Sequence, residues 1–424
     1  MLNKPFSVTC RLYSVMLVLL VITLGANKTY AQKAEVFESP QVLHVSEVLP
    51  LDVTEGPDYR IQDLVYNDGL LNRFDINSDY GFLSVEGSDL LKVRLQEIEA
   101  LRQMEELKRT QLYGDAFKKA ATGPLKLAKG LVLHPLDTLS GVGTGIGKWF
   151  SQIGHTIYGD PSETEEGTLK VIFGFDQMKR NLAYEFGVDP YSTNPLLQDR
   201  LNSISWTAFA GNMTVRAAFM AIPGAAGMAV SGTGFSKSMR VLARDKTPAE
   251  LKKYNREKLK AMGVNEDVAE TFLDHPKWSP TAKTSLVGAL EQMNEVGNRQ
   301  AMVTAATLVQ SDDLVYFRQR QTEMMAAYHL KVSPVAHMIR LGEIAGLQKK
   351  DGTLVLIFPV DQVAWLKNVK DRVLRTSRKV TQNIPNLTSK ELWLGGTATP
   401  VARQNLEAQG WVVKENVFKK LTLD

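Results

Sequence analysis

The chain has 424 residues, with 50 Lys or Arg against 46 Asp or Glu and a hydrophobic fraction of 44%. This composition is typical of a globular protein long enough for two or three domains, and the near balance of charge gives no general case for nucleic-acid binding. The single cysteine, Cys10, excludes a disulfide framework within the chain.

Residues 1–31 have the features of a secretory signal peptide. A basic start without acids precedes an apolar run of about a dozen residues, from Val15 to Ala26, and the small residues Thr29 and Ala31 follow it. Because a membrane span needs roughly 20 apolar residues, we predict cleavage after Ala31 rather than an uncleaved anchor. The remaining chain has no cysteine and has 47 basic against 46 acidic residues. We therefore expect an exported protein of the bacterial periplasm or cell envelope.

Residues 32–122 are predicted to form a small antiparallel sheet and one long helix. Strand-like runs flank Asn67-Asp68-Gly69, which is a strong hairpin signal, and further strands are expected near 42–48 and 80–85. Ser88 begins a helix that we expect to reach about Lys119, because apolar residues recur at spacings of three and four. Packing of this helix on the sheet is the favoured interpretation, and a partner-binding coiled coil is the alternative.

Residues 123–246 are predicted to be a glycine-rich, apolar, helical region. The run 141–148 resembles a phosphate-binding loop, but Val142 and Trp149 stand where that motif needs glycine and a hydroxyl residue, so we expect no nucleotide site. Trp149 and Phe150 are of a type that suits a membrane interface, and they would equally suit the edge of a core. The uncharged run 217–236 has the length of a membrane span but few strongly apolar side chains.

Residues 247–335 are predicted to form a helical bundle, and residues 336–424 a small mixed α/β unit. The bundle begins at the capping box of Thr247 and Glu250 and is expected to have about five helices. In the second unit, predicted strands at 338–347 and 353–360 flank a hairpin turn at 349–352, and a helix is predicted at about 362–380. A strand at 392–394, a helix at 400–409 and a strand at 411–414 complete the order ββαβαβ.

Candidate catalytic side chains are few. Asp274 and His275 can supply an orienting acid and a base, and Ser279 or Ser285 lies near in sequence, but sequence proximity does not establish the geometry of a triad. The favoured interpretation is that Asp274-His275 ends one helix and Ser279 caps the next. The histidines have no zinc-binding spacing, so no metal site is predicted. The weak catalytic candidates are Asp274, His275, His329 and His337.

The predicted helix at 362–380 is amphipathic. Its apolar side is formed by Leu366, Val369, Val373 and Val380. The opposite side is basic. An ordinary solvated face of a packed helix is the favoured interpretation, and contact with an anionic membrane, a polyanion or an acidic partner is the alternative. The candidates for this contact are Lys367, Lys370, Arg375, Arg378 and Lys379.

Together these patterns predict an α+β protein that is predominantly helical. The favoured function is that of a non-enzymatic interaction or assembly factor in the cell envelope, with a protein partner or a membrane surface as its target. No cofactor, nucleotide or nucleic acid is expected. One alternative is a periplasmic hydrolase with an interdomain site. The other is a small-ligand or peptide binder that uses the C-terminal unit. There, the backbone N–H groups of Gly395, Gly396 and Thr397 are placed to receive an anion, although an ordinary turn and helix cap is the favoured interpretation of these residues.

Overall fold

The computed structural model describes residues 37–122, 163–223, 237–384 and 387–423. These residues form an α+β fold in which helices dominate, as predicted. The predicted signal peptide, residues 123–162 with Trp149 and Phe150, and most of the uncharged run 217–236 lie outside the described residues.

The N-terminal part begins with an antiparallel sheet of short strands. The predicted turn at Asn67-Asp68-Gly69 joins β4 (Leu64–Asn67) to β5 (Asn72–Ser78), and Asn67 pairs with Asn72. The Asp68 carboxylate accepts the N–H groups of Leu70 and Leu71 at 2.8 Å each, and Gly69 has a φ of +99°, so this turn is fixed by its own residues. The strands are β1 (Gln41–His44), β2 (Glu55–Gly56), β3 (Tyr59–Ile61), β4 (Leu64–Asn67), β5 (Asn72–Ser78) and β6 (Gly81–Glu86).

Two predicted elements of this part are shorter than expected. The strand expected at 42–48 ends at His44, and a single turn, α1 (Val45–Val48), follows it before a second one, α2 (Leu51–Thr54). The helix expected to run from Ser88 to Lys119 is instead two helices, α3 (Ser88–Lys108) and α4 (Gln111–Thr122). The break lies at Thr110, whose hydroxyl accepts the backbone N–H of Tyr113 and so caps the second helix.

The apolar face predicted for α3 is buried against two different layers. Leu91 and Ile98 pack on the sheet with Phe74 and Ile76, which confirms the predicted helix–sheet contact. Leu101 and Met104 pack instead on a second layer, formed by α4 and by three later helices of the described part of the chain. These helices are α5 (Glu163–Glu185), α6 (Pro195–Ala210) and α7 (Val215–Met220), and a further one, α8 (Lys237–Asp245), contacts α5.

The predicted bundle has five helices within residues 247–335, as expected. Its capping box is present, because Thr247 Oγ1 accepts the N–H of Glu250 and the Glu250 carboxylate accepts the N–H of Thr247 at 2.7 Å. The helices are α9 (Pro248–Ala261), α10 (Glu266–Leu273), α11 (Pro280–Glu291), α12 (Gln300–Ala306) and α13 (Asp312–Lys331).

The C-terminal unit contains a five-stranded mixed sheet, whose strands lie in the order β13 (Trp411–Lys414), β11 (Lys390–Leu394), β9 (Leu354–Phe358), β8 (Ile344–Gln348) and β7 (His337–Leu341). The run 338–347, expected to be one strand, is a hairpin that turns at Gly342, where φ is +75°. The turn at 349–352 joins β8 to β9 as predicted. The elements are β7 (His337–Leu341), β8 (Ile344–Gln348), β9 (Leu354–Phe358), β10 (Gln362–Val363), α14 (Lys367–Asn383), β11 (Lys390–Leu394), β12 (Thr397–Ala398), α15 (Pro400–Ala408) and β13 (Trp411–Lys414).

Residues 39–424 group into one unit by their contacts. The bundle and the C-terminal sheet share a single hydrophobic core, in which Met302 and Met325 pack with Leu347 and Ile357. The boundaries at 122, 246 and 335 stay a prediction about chain organisation.

The N-terminal hairpin docks on the C-terminal unit at Asp361. The backbone N–H of Asp361 donates to the carbonyl of Leu70 at 3.0 Å, and its buried carboxylate accepts the N–H of Asn72 at 2.8 Å and that of Ser88 at 3.0 Å. The turn therefore lies at the carboxyl end of β9, and Asp361 also satisfies a free N–H group at the start of α3.

Candidate functional site

The basic face predicted for the C-terminal helix is present on α14. Val369 and Val380 are 3% and 1% exposed and pack in the core of the C-terminal unit, which fixes the orientation of the helix. Four of the predicted cations are exposed, whereas Lys370 is half-buried, and Arg372, which was not among the predicted residues, is exposed as well. The exposed cations of α14 are Lys367, Arg372, Arg375, Arg378 and Lys379.

Within the part of the chain that the structure describes, these five cations have little acidic charge beside them. Asp371 is the only acidic residue in the sequence of α14, and none of the five forms a salt bridge with another residue of the described ranges. Arg340, an exposed residue of β7, lies beside the end of the helix, where Asn383 donates to its carbonyl at 3.4 Å. We call this set of exposed cations on α14 the cationic face. Its positive charge is therefore available to an external anion.

The structure does not join Asp274 and His275 into an acid–base pair. The Asp274 carboxylate is exposed and accepts a hydrogen bond from Lys252 Nζ at 2.5 Å. The Nδ1 atom of His275 accepts the N–H of Lys277 at 3.3 Å, and burial lowers the pKa of this histidine. Ser279 caps α11 by accepting the N–H of Ala282 at 3.1 Å. These contacts match the helix-end interpretation.

His329 and His337 are also held by local contacts. His329 accepts the N–H of Val335 through Nδ1 at 3.2 Å, and burial lowers its pKa. His337 is half-buried in β7 and pairs in register with Gln348 of β8. No group of three or more His, Cys, Asp or Glu side chains in the described ranges is arranged to hold a metal ion.

The glycine turn at 395–397 does not present free N–H groups to an anion. Gly395 donates to the carbonyl of Phe358 at 2.9 Å, Gly396 to that of Val360 at 2.7 Å and Thr397 to that of Asp361 at 2.9 Å. Thr399 then caps α15. This turn is used entirely for internal strand pairing, so it offers no anion site in this conformation.

A polar cleft that the sequence did not predict lies between α3, the loop before α6, and the N-terminal ends of α11 and α13. It encloses a cavity of about 110 Å³. Polar and apolar side chains line it, among them Glu97, Asp189, Ser279, Asp313 and Tyr316. A cavity of this size is smaller than the roughly 300 Å³ at which pockets for drug-sized ligands begin.

Glu97 is the centre of the hydrogen bonding in this cleft. Its side chain is 3% exposed and accepts Arg94 Nη1 at 2.8 Å and Asn194 Nδ2 at 2.9 Å. The hydroxyl of Ser192 also donates to it. The carboxylate thereby fixes the loop of residues 192–194 to α3, which is a structural use of a buried charge.

Asp189 fixes the same loop to the bundle. It accepts the Thr281 hydroxyl at 2.6 Å and the N–H of Tyr191 at 2.9 Å. Burial raises the pKa of Asp189 to about 6, and burial lowers the pKa of the nearby Lys179 to about 7. Lys179 Nζ donates to Gln198 at 2.7 Å. Of these two groups, Asp189 lines the cleft.

We predict that Asp189 makes the protein less stable as the pH rises from about 4 to about 6. Its pKa in the folded state is above the ordinary value of 3.8, so the folded protein binds more protons than the unfolded chain in this window. A pKa shift of this size changes the free energy of unfolding by at most about 3 kcal/mol. Urea unfolding across this range should show a smaller fall for Asp189→Asn than for the unaltered protein. Equal slopes for the two proteins contradict the assignment.

Within the described residues, no helix combines the length and the apolar composition that are needed to cross a membrane. Comparisons with protein-family models, with characterised proteins and with solved structures gave no match. A functional interpretation therefore rests on the residues of this chain alone.

Proposed function

We propose that this chain is an exported cell-envelope protein that attaches to an anionic membrane surface and does not catalyse a reaction. The cationic face of α14 is the observation that carries this proposal. The export part rests on the signal-like features of residues 1–31.

The cationic face is not explained by folding. The opposite side of α14 already supplies the buried contacts of Val369 and Val380, and Thr376 is buried between them. Exposed cations without partners add little to stability, and their mutual repulsion is unfavourable. A negatively charged membrane surface attracts each nearby Lys or Arg by about 1 kcal/mol, so five such residues supply a useful attraction.

The contacts of the predicted catalytic residues favour the non-enzymatic part of the proposal. Asp274 is paired with Lys252, and His275 and His329 accept backbone N–H groups of their own turns. Glu97 and Asp189 in the cleft each hold a loop. These acids and histidines therefore have structural roles that account for their positions.

We expect the double variant Arg375→Glu/Arg378→Glu to bind anionic vesicles at least about 30-fold more weakly than the unaltered protein. Removing the two positive charges weakens the attraction to the anionic surface by about 2 kcal/mol, and the two new negative charges add repulsion. Cosedimentation with vesicles of phosphatidylglycerol and phosphatidylcholine measures the change.

The matched control is Lys253→Glu/Lys260→Glu. Both lysines are exposed on α9, so the control changes the net charge by the same amount at a different surface. It should bind nearly as well as the unaltered protein. Equal weakening by both double variants would show that only net charge matters and would contradict a role for α14.

A further inference from the structure

Two cations from different elements meet at the turn between β7 and β8. The Nε group of Arg340 donates to the carbonyl of Gly342 at 2.9 Å. The side chain of Lys379 in α14 lies across the same glycine, because a Cβ added to Gly342 would be 3.0 Å from Lys379 Cε and 3.6 Å from its Nζ. Both side chains therefore contact one residue, which places them on a common surface. We call Arg340, Gly342 and Lys379 the Gly342 site.

The backbone fixes the two elements of this site. Gly342 has a φ of +75°, a conformation that favours glycine, and its missing side chain leaves the space that Lys379 occupies. One turn further along α14, Asn383 donates to the carbonyl of Arg340 at 3.4 Å. The buried Val380 holds this end of the helix in the core of the C-terminal unit. The site is therefore built from a fixed turn and a fixed helix end.

The positive charge of the site is available to a ligand. Arg340 and Lys379 are exposed, and neither forms a salt bridge within the described ranges. The hydrogen bond to Gly342 uses Nε of Arg340, so the two Nη groups remain for a ligand. Glu343, the acidic residue of the turn, interacts instead with Arg318 of α13. Its carbonyl accepts Arg318 Nη2 at 2.9 Å, and its charge partly offsets the burial that lowers the pKa of Arg318 to about 10.

This arrangement fits a phosphomonoester. A guanidinium can bind two oxygens of one phosphate at once, and an ammonium adds a point charge. A phosphomonoester has three terminal oxygens and a charge of about −1.5 to −2 near neutral pH, whereas the phosphodiester of phosphatidylglycerol has a single charge. Arg375 lies one turn before Lys379 on the same side of α14, so the site continues into the cationic face. Two adjacent cations therefore favour the monoester.

We propose that the Gly342 site binds the phosphomonoester headgroup of an anionic lipid such as phosphatidic acid. This inference rests on the proposed membrane-surface function and names the headgroup that the protein prefers. The cationic face supplies a general attraction to negative charge, and the Gly342 site supplies selectivity among anionic headgroups.

A comparison of two kinds of vesicle tests the selectivity. Phosphatidic acid or phosphatidylglycerol is mixed with phosphatidylcholine so that the zeta potentials are equal, and binding of the full chain is measured by cosedimentation. We expect the unaltered protein to bind the phosphatidic acid vesicles at least about 5-fold more tightly, because only the monoester accepts both cations as a dianion. The double variant Arg340→Gln/Lys379→Gln should lose this preference.

The matched control is Lys367→Gln/Arg372→Gln. It removes two other exposed cations of α14, so it should weaken binding to both kinds of vesicle by a similar factor and keep the preference. All four substitutions are at exposed positions, and circular dichroism checks that the variants fold. Isothermal titration calorimetry with glycerol 3-phosphate tests whether a soluble monoester occupies the same site.

The possible failures are distinguishable. Equal binding to the two kinds of vesicle, or a preference that both double variants lose or keep alike, contradicts the Gly342 site and leaves the proposed function in place. If the unaltered protein binds neither vesicle but binds glycerol 3-phosphate through Arg340 and Lys379, the ligand is a soluble ester, and the lipid assignment and the proposed function are both wrong. If it binds neither vesicle nor glycerol 3-phosphate, the site and the proposed function are both wrong.

Discussion

Replacing Glu97 by alanine is expected to lower the free energy of unfolding by about 3–5 kcal/mol. The change leaves Arg94, whose side chain is 12% exposed, without its buried counter-charge. It also removes the acceptor of Asn194 and Ser192, so the loop before α6 loses its attachment to α3. Urea unfolding followed by circular dichroism measures the loss.

Glu106→Ala is the matched control, because it removes an acid from the same helix. Its partner Arg109 is 74% exposed and lies 3.0 Å away. Exposed pairs of this kind contribute roughly 0–1 kcal/mol. Losses of similar size for the two variants would show that the buried position of Glu97 does not matter.

Gly396→Ala is expected to cost about 3 kcal/mol, at the upper end for an overpacked site. A Cβ at this position would lie 1.9 Å from the carbonyl oxygen of Asp361. The backbone cannot easily move away, because Gly396 donates to Val360 and accepts from Asn416, each at 2.7 Å. Displacement of Asp361 would also disturb the docked N-terminal hairpin.

Gly114→Ala tests whether the cost at Gly396 is steric. An added Cβ at Gly114 of α4 meets no atom within 4 Å. Since alanine is the better helix former, this variant should gain about 0.5–1 kcal/mol. Thermal unfolding should therefore move in opposite directions for the two variants, and a loss of equal size in both would contradict the steric explanation.

Features that depend on neighbouring residues were predicted well. The hairpin at Asn67-Asp68-Gly69 and the caps at Thr247 and Ser279 are made by side chains within four residues of the groups they bind. The exposed side of α14 was predicted for the same reason, because the apolar residues that define its buried side lie close together in the sequence. The break at Thr110 was missed because the apolar spacing continues across it.

The polar cleft was not predicted because its partners are distant in the chain. Glu97 binds Ser192, 95 residues away, and Asp189 binds Thr281, 92 residues away. The only local trace is the Arg94–Glu97 pair at i, i+3, which resembles an ordinary surface pair. The histidine candidates are a different case, because His275 and His329 accept N–H groups only two and six residues away, at the ends of their own helices.

The measurement that tests the central claim most directly is the binding of the unaltered protein to vesicles of increasing phosphatidylglycerol content, repeated at low and high salt. Attachment through the cationic face predicts that binding rises with the anionic fraction and weakens as salt screens the charges. Binding that is absent from anionic vesicles, or that is the same on purely zwitterionic ones, would contradict the account.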